Sequence, residues 1–353
     1  MARYRFDEIA INVSEKKKPT AEDQKLYVGL EHLDSGSLVV SRWGSNVPIK
    51  GEKLIMRKGD VLLGKRNAYL RRAAIAPHDG IFSAHGMVLR PNEDIVDRNF
   101  FPFFISSDYF FDEAVRISVG SLSPTVNWSD LRRLEFDLPA MDEQRKLARV
   151  LWAVNDTIEA YKRLMSATED LVRGQFAEMF GRINDEGKFP RKQWQDVLTI
   201  INGKDWKKVA DPDGLYPVYG SGGIMARAND YLCPANSVVI GRKGTIDKPF
   251  VVTEKFWNVD TTFGVVPNEG VLHYLYLYWY CKQLDFRILN KATTLPSTTR
   301  KDLLQLWINI PPYDLQQQFA DFVHQADKSK SSLQKALTAA RNISRKIISE
   351  NLG

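Results

Sequence analysis

The amino-acid sequence predicts an α+β protein in which two duplicated globular domains are separated by a pair of long antiparallel, coiled-coil-like helices with pseudo-two-fold symmetry. Three observations predict it: a heptad stripe near the middle of the chain, an internal repeat, and short β-type runs elsewhere. On this reading residues 1–138 form the first globular domain and 139–181 the first long helix. Residues 182–312 form the second domain and 313–353 the second helix.

The 353 residues are enough for two or three domains, and 44% hydrophobic with 26% charged residues is ordinary for a soluble globular chain. The N-terminal MARYRFDEIAINVSEKKK has no apolar core of a secretory signal. The most membrane-like run, Val271 to Cys281, is too short to span a bilayer and reads as a buried aromatic helix. Two cysteines, Cys233 and Cys281, and five histidines show no metal-ligand spacing. Reduced thiols, no metal and a cytoplasmic location are therefore expected. The net charge of +6 is modest, but Lys50 to Arg90 alone carries nine Lys/Arg against three acids. Such a concentration beside Tyr69 and Phe82 points toward nucleic acid.

Taken in order, residues 1–138 offer short strands at Lys25–Val28, Ser37–Val40, Asp60–Leu63 and Met87–Leu89, bounded by Gly, Pro, Asn and Asp. An aromatic segment, Asn99 to Ile105, and a strand at Glu135–Leu138 follow. Trp43, Trp128, Trp194 and Trp206 read as packing residues. After Pro139, with Asp142 as the expected N-cap, apolar side chains recur at Leu147, Leu151, Val154, Ile158, Tyr161 and Met165. Alternating steps of four and three make the seam of a helix that packs lengthwise on another. The uninterrupted stretch would span about 57 Å. Residues 182–310 repeat the strand-rich character at Val238–Gly241, Phe263–Val266 and Leu306–Ile310.

The likeness between the halves is a repeat. Pro124, Asp130, Leu134, Pro139 and Gln144 match Pro296, Asp302, Leu306, Pro311 and Gln316 at a constant spacing of 172 positions. Upstream, Pro91-Asn92-Glu93 matches Pro267-Asn268-Glu269, and Leu63-Gly64-Lys65-Arg66 matches Ile240-Gly241-Arg242-Lys243. The same spacing carries the seam onto Phe319, Val323, Ala326, Leu333 and Leu337, so a second long helix begins at Asp314. To bury its stripe it must run antiparallel to the first. Lys330 falls where Ile158 would, and is expected to mark an opening in the coiled coil.

Few residues suggest chemistry. Asn309-Ile310-Pro311-Pro312-Tyr313 resembles the catalytic tetrapeptide of amino-methyltransferases, but Ile310 stands where an amide or carboxylate is needed. A single-chain DNA adenine methyltransferase using Asn309 to Tyr313 is the alternative reading. Tyr219-Gly220-Ser221-Gly222-Gly223 lacks the endings of phosphate-binding loops and reads as a flexible loop open to close approach. What recurs in both halves is a glycine with a basic pair at a strand end. These are Gly64-Lys65-Arg66, followed by Tyr69, Arg71 and Arg72, and Gly241-Arg242-Lys243-Gly244-Thr245. Such residues can neutralise phosphates or bond guanine edges.

At this point the chain resembles the specificity (S) subunit of type I DNA restriction-modification systems over its whole length. The resemblance rests on Tyr216 to Gly223, on Val239 to Thr245, on Thr294-Leu295-Pro296-Ser297, and on the paired helix starts Pro139/Gln144 and Pro311/Gln316. The first half lacks the Tyr-Gly-Ser-Gly segment. The resemblance implies that each globular domain is a target recognition domain reading one half of a bipartite double-stranded DNA site. It implies DNA contacts at Tyr219, Ser221 and Thr294 beside the basic residues. The helices would set the spacer and dock two methyltransferase subunits, which would bind S-adenosylmethionine, and a motor-nuclease subunit could join them. The chain itself would be non-enzymatic and bind no cofactor.

Overall fold

A computed structural model describes residues 1–183, 188–243, 245–289 and 297–352. The chain divides into two compact units. The first comprises residues 1–162 and 335–353, the second residues 163–334. Among the described residues no helix is long and apolar enough to cross a membrane.

The first unit holds strands β1 (Ala2–Arg5), β2 (Ala10–Val13), β3 (Lys16–Lys17), β4 (Tyr27–Val28), β5 (Lys53–Met56), β6 (Val61–Gly64), β7 (Ala73–Ile75), β8 (Gly80–Phe82), β9 (Gly86–Pro91) and β10 (Glu135–Leu138). Its helices are α1 (Phe6–Ile9), α2 (Phe101–Ser106), α3 (Asp108–Arg116) and α4 (Trp128–Leu131), with the start of α5 (Met141–Phe180). One four-stranded sheet has the order β2-β9-β6-β7 and another β3-β5-β8-β4. The inner strand β6 is buried at every residue, as its unbroken Val-Leu-Leu run requires. The aromatic segment foreseen at 99–105 forms α2, whose apolar side chains are buried all round. Phe104, Phe110 and Phe136 surround Phe6 with ring centroids 5.3 to 6.5 Å away.

The second unit repeats the plan. Its strands are β11 (Arg191–Gln193), β12 (Leu198–Asn202), β13 (Tyr216–Gly220), β14 (Gly223–Ala228), β15 (Ser237–Gly241), β16 (Phe250–Val252), β17 (Trp257–Asn258), β18 (Thr262–Pro267) and β19 (Trp307–Asn309). Its helices are α6 (Trp194–Val197), α7 (Tyr274–Cys281) and α8 (Arg300–Leu304), with the start of α9 (Tyr313–Leu352). The sheet β12-β18-β15-β16 matches β2-β9-β6-β7 strand for strand. The run from Val271 yields the buried helix α7, as its aromatic composition suggested. Tyr276 and Tyr280 donate their hydroxyls to the carbonyls of Asn309 (2.8 Å) and Trp307 (2.9 Å). Burial lifts the Tyr280 phenol to about 12.

Within each unit the two long helices pair in opposite directions. In the first, Leu147 and Leu151 of α5 pack in one core with Ile347, Ile348 and Leu352 of α9, while Val154 to Tyr161 share a groove with Ala336 to Ile343. In the second, the Phe319 ring of α9 lies 5.3 Å from Phe176 and 5.4 Å from Phe180 of α5. The seam read from the heptads is the inward face: Leu151, Phe319, Val323 and Leu337 are buried, and Val154, Ile158, Tyr161, Met165 and Leu333 are half-buried.

The recurring glutamines anchor the helix starts. Gln144 is 1% exposed; its Oε1 accepts from the Asp97 amide (2.8 Å), and its Nε2 donates to the carbonyls of Ile95 (3.1 Å) and Pro139 (2.9 Å). Gln316, fully buried, repeats this with the His273 amide (2.8 Å) and the carbonyls of Val271 (3.0 Å) and Pro311 (2.9 Å).

Several sequence expectations need correction. Asp142 is no cap: α5 already includes Met141, and the carboxylate sits exposed in the first turn. Helix α9 begins at Tyr313, one residue before Asp314. Lys330 does not open the helix pair, because its ammonium meets Glu169 of α5 at 3.3 Å, and the same carboxylate bonds Lys282. Ser37–Val40 forms only an isolated bridge through Val39, and Lys25 and Leu26 lie in a 3-10 turn. Trp43 is 47% exposed, edge-on to His78, whereas Trp194 is wholly buried. The Tyr219 to Gly223 segment is no loose loop but the bend of the β13–β14 hairpin, in which Gly220 pairs with Gly223.

Candidate nucleic-acid interface

In both units the central buried strand ends in a glycine and then a basic pair. In the second unit, Gly241 closes β15; a side chain there would lie 2.0 Å from the Thr245 carbonyl, so the turn demands glycine. The amides of Arg242 and Lys243 both donate to the Thr261 carbonyl, at 2.8 and 3.3 Å. On the other side the Thr298 amide donates to the Arg242 carbonyl (3.0 Å), and Lys243 bridges Ser297. The first unit repeats each bond. The amides of Lys65 and Arg66 donate to His85 (3.2 and 3.3 Å), the Val126 amide donates to the Lys65 carbonyl (3.0 Å), and Arg66 bridges Thr125. The backbone of each turn is thus fixed from both flanks.

The side chains reach the surface, Arg66 with a bond to the Ser123 hydroxyl (3.4 Å). Arg242, Lys243 and Arg66 are exposed, and Lys65 is half-exposed. The Arg242 guanidinium lies 6.0 Å over the Phe263 ring and donates to the Asp260 carbonyl (3.3 Å). Within the second unit Arg242, Lys243 and Phe263 line, with Asn202, Thr299 and Arg300, a cleft of about 260 Å³. Thr245, whose carbonyl lies against Gly241, is half-buried.

The hairpin stands next to this turn. The Tyr219 carbonyl accepts from the Val259 amide (3.0 Å), two residues before the Thr261 carbonyl that holds Arg242 and Lys243. The structure therefore brings Tyr219, Arg242 and Lys243 onto one short segment, residues 259–261, with Ser221 two residues beyond Tyr219 in the hairpin turn. The Tyr219 ring is packed on Phe250 (5.5 Å) and Phe256 (5.6 Å), and burial, then the charge of Glu254, raise its phenol above the ordinary value. Ser221 and Gly222 form the turn. Thr294 lies outside the described residues, as do Gly244, Leu295 and Pro296.

Not all of the basic stretch converges. Tyr69 is 56% exposed beyond the first turn. Arg71 forks onto Asp108 and Asp112 of α3, and Arg72 donates to the Leu30 carbonyl at 3.1 Å. Arg90 is taken up by the buried Asp60, at 2.7 Å. The excess of charge between Lys50 and Arg90 is thus partly internal, and Lys65 with Arg66 is the pair that matches the second unit.

Sequence comparison missed one counterpart. In the first unit the parallel pair β4–β8 takes the place of β13–β17, and the Ser83 amide donates to the Val28 carbonyl (3.0 Å) as Val259 does to Tyr219. Val28-Gly29 therefore stands where Tyr219-Gly220 stands, followed by the 3-10 turn Leu30–His32 instead of a hairpin. The lone shared glycine was the signal, obscured because the hairpin and its approach change the spacing.

The remaining chemistry is sparse. Asn309 is 3% exposed within β19, so its amide is not presented to a substrate. Cys233 is buried, its thiol pushed up to about 12. Among the described residues no three His, Cys, Asp or Glu side chains gather as a metal site.

An α+β unit carried twice, each copy with the same clamped basic turn, defines a duplicated recognition protein. A family model described as type I restriction modification DNA specificity domain matches residues 11–167 and again 188–340. The chain belongs to this family, as a type I restriction-modification specificity subunit with two copies of the domain. Among its relatives, the type I restriction enzyme MjaIX specificity subunit of Methanocaldococcus jannaschii is 24% identical over 87% of this chain and 80% of its own length. A chain of the same organism assigned as the MjaX specificity subunit is 20% identical over 92% of this chain and 88% of its own. The crystal structure of a type I restriction-modification system S subunit from M. genitalium superposes with a TM-score of 0.61 at 13% identity, covering all of this chain and 96% of that one, a likeness of fold. The single-chain methyltransferase reading is not favoured.

Proposed function

We propose that each unit reads one half of a bipartite double-stranded DNA site through its clamped basic turn, and that the long helices set the spacer between the halves. The observation that carries this reading is the repeated clamp: a rigid backbone presenting two cations at the same place in both copies. Cations there meet phosphates and position the duplex, while neighbouring polar groups can read base edges. The outward residues Val150, Leu164 and Leu171 of α5 are exposed and apolar, suited to docking two methyltransferase subunits. Those subunits would bind S-adenosylmethionine and transfer the methyl group, and a motor-nuclease subunit would complete restriction. The chain itself supplies recognition and no catalysis.

The test is DNA binding by the chain reconstituted with its methyltransferase. Affinity should fall linearly with salt on logarithmic axes, and Arg242→Ala or Lys243→Ala should each reduce the slope by about one. Equal binding to all DNA sequences would overturn the proposal.

A further inference from the structure

We infer that the β13–β14 hairpin enters the major groove and that Ile224 and Met225 read thymine methyl groups there, which rests on the DNA-binding reading above. Large aliphatic side chains rarely stand together in water at a hairpin bend, yet Ile224 is 64% and Met225 60% exposed. The exposure is built in. The register of β13 against β14 shifts between Val218 and Tyr219, leaving Met225 unpaired between the partners of those two residues. A bulge of this kind re-aims a side chain, and here it leaves two successive residues exposed, Met225 with its Sδ laid over Gly220 of the facing strand. Gly223, with φ +117°, allows the bend, and nothing stands within 4 Å of where a Gly222 side chain would begin.

The surroundings suit a duplex. From Tyr219 to Ala226 the hairpin carries no acidic residue. Arg227, its nearest charge, is spent on the carbonyls of Gly214 (2.6 Å) and Leu215 (2.9 Å). Residues 259–261 tie the hairpin to Arg242 and Lys243, so phosphate contacts by that pair would bring the tip to the groove. The major groove admits a two-stranded ribbon, and an apolar side chain there has one apolar target, the thymine C5-methyl. The first unit has a 3-10 turn at the equivalent place, so this readout belongs to one half-site only.

The experiment uses the full chain in complex with its methyltransferase subunits and a duplex bearing the methylated motif. Each thymine is replaced singly by deoxyuridine, which removes only the methyl. One or two positions in one half-site should weaken binding about fourfold, the worth of one buried methyl. In the paired variant Ile224→Ser, Met225→Ser that preference for thymine over uracil should vanish, with the other half-site unchanged. A flat uracil scan in a wild-type complex that still prefers its motif over scrambled DNA overturns this inference and leaves the proposed function standing. So does a thymine preference that survives the double substitution. Equal binding to motif and scrambled DNA overturns both.

Discussion

Gln144 and Gln316 show at the scale of a residue what a repeated letter is for. Each is itself buried and satisfies one amide and two carbonyls where a loop meets a helix start. Gln144→Leu fills similar volume but strands those three groups, and should destabilise the protein by about 2–4 kcal/mol. Urea unfolding of the variant against the wild type measures it. The sequence displayed the glutamine's recurrence but hid its purpose, since Asp97 lies 47 positions away. The same limit blurred the basic residues. Lys65 and Arg66 could be matched to Arg242 and Lys243 by letter alone, whereas the carboxylates that occupy Arg71 and Arg90 depend on contacts that no local pattern encodes. In sequence the hairpin bend reads as a loop because its glycines are equally common in both, and only strand pairing distinguishes them.

Among elements, the paired helices were the most legible, because heptad spacing alone dictates which face is buried. Their one irregular position is Lys330. Lys330 is half-buried at the seam, and Glu169 answers it from α5 while also bonding Lys282, whose ammonium lies 4.4 Å over the Trp279 ring. Thus α5, α7 and α9 share one charge cluster. The bond from Lys282, then the charges of Lys282 and Lys330, outweigh the opposing effect of burial and hold the Glu169 carboxyl below its ordinary value. A depressed folded value means that the stabilisation is complete above the unfolded value of about 4.3 and is lost as pH falls through the folded one. Glu169→Gln should therefore cost on the order of 1 kcal/mol near neutral pH, for a partly exposed cluster. Thermal melts should show the gap between variant and wild type closing as the pH falls below the unfolded value and through the depressed folded one.

For the whole molecule, the duplication accounts for most of what could be foreseen, since any feature appearing in one half could be sought in the other. It failed where an insertion changed the spacing, at Gly29 against Gly220. The proposed spacer role makes a geometric demand on the helices. Matched insertions of four residues after Ala167 and after Ser332, about one helical turn in each, should lengthen the spacer of the methylated motif and leave both half-sites as they were. Base-resolution mapping of methylated adenines in cells carrying the variant reads both at once; an unchanged spacer would sink the ruler.

The division of the chain also sets an order of events during synthesis. The second unit is continuous, residues 163–334, and every residue it needs has been synthesised once α9 is just past its midpoint. The first unit is discontinuous: its core includes Leu352, with Ile347 and Ile348 packed against it. Domains made first ordinarily fold first. Here the first unit must wait, its apolar surface incomplete, until the ribosome delivers the last turns of α9.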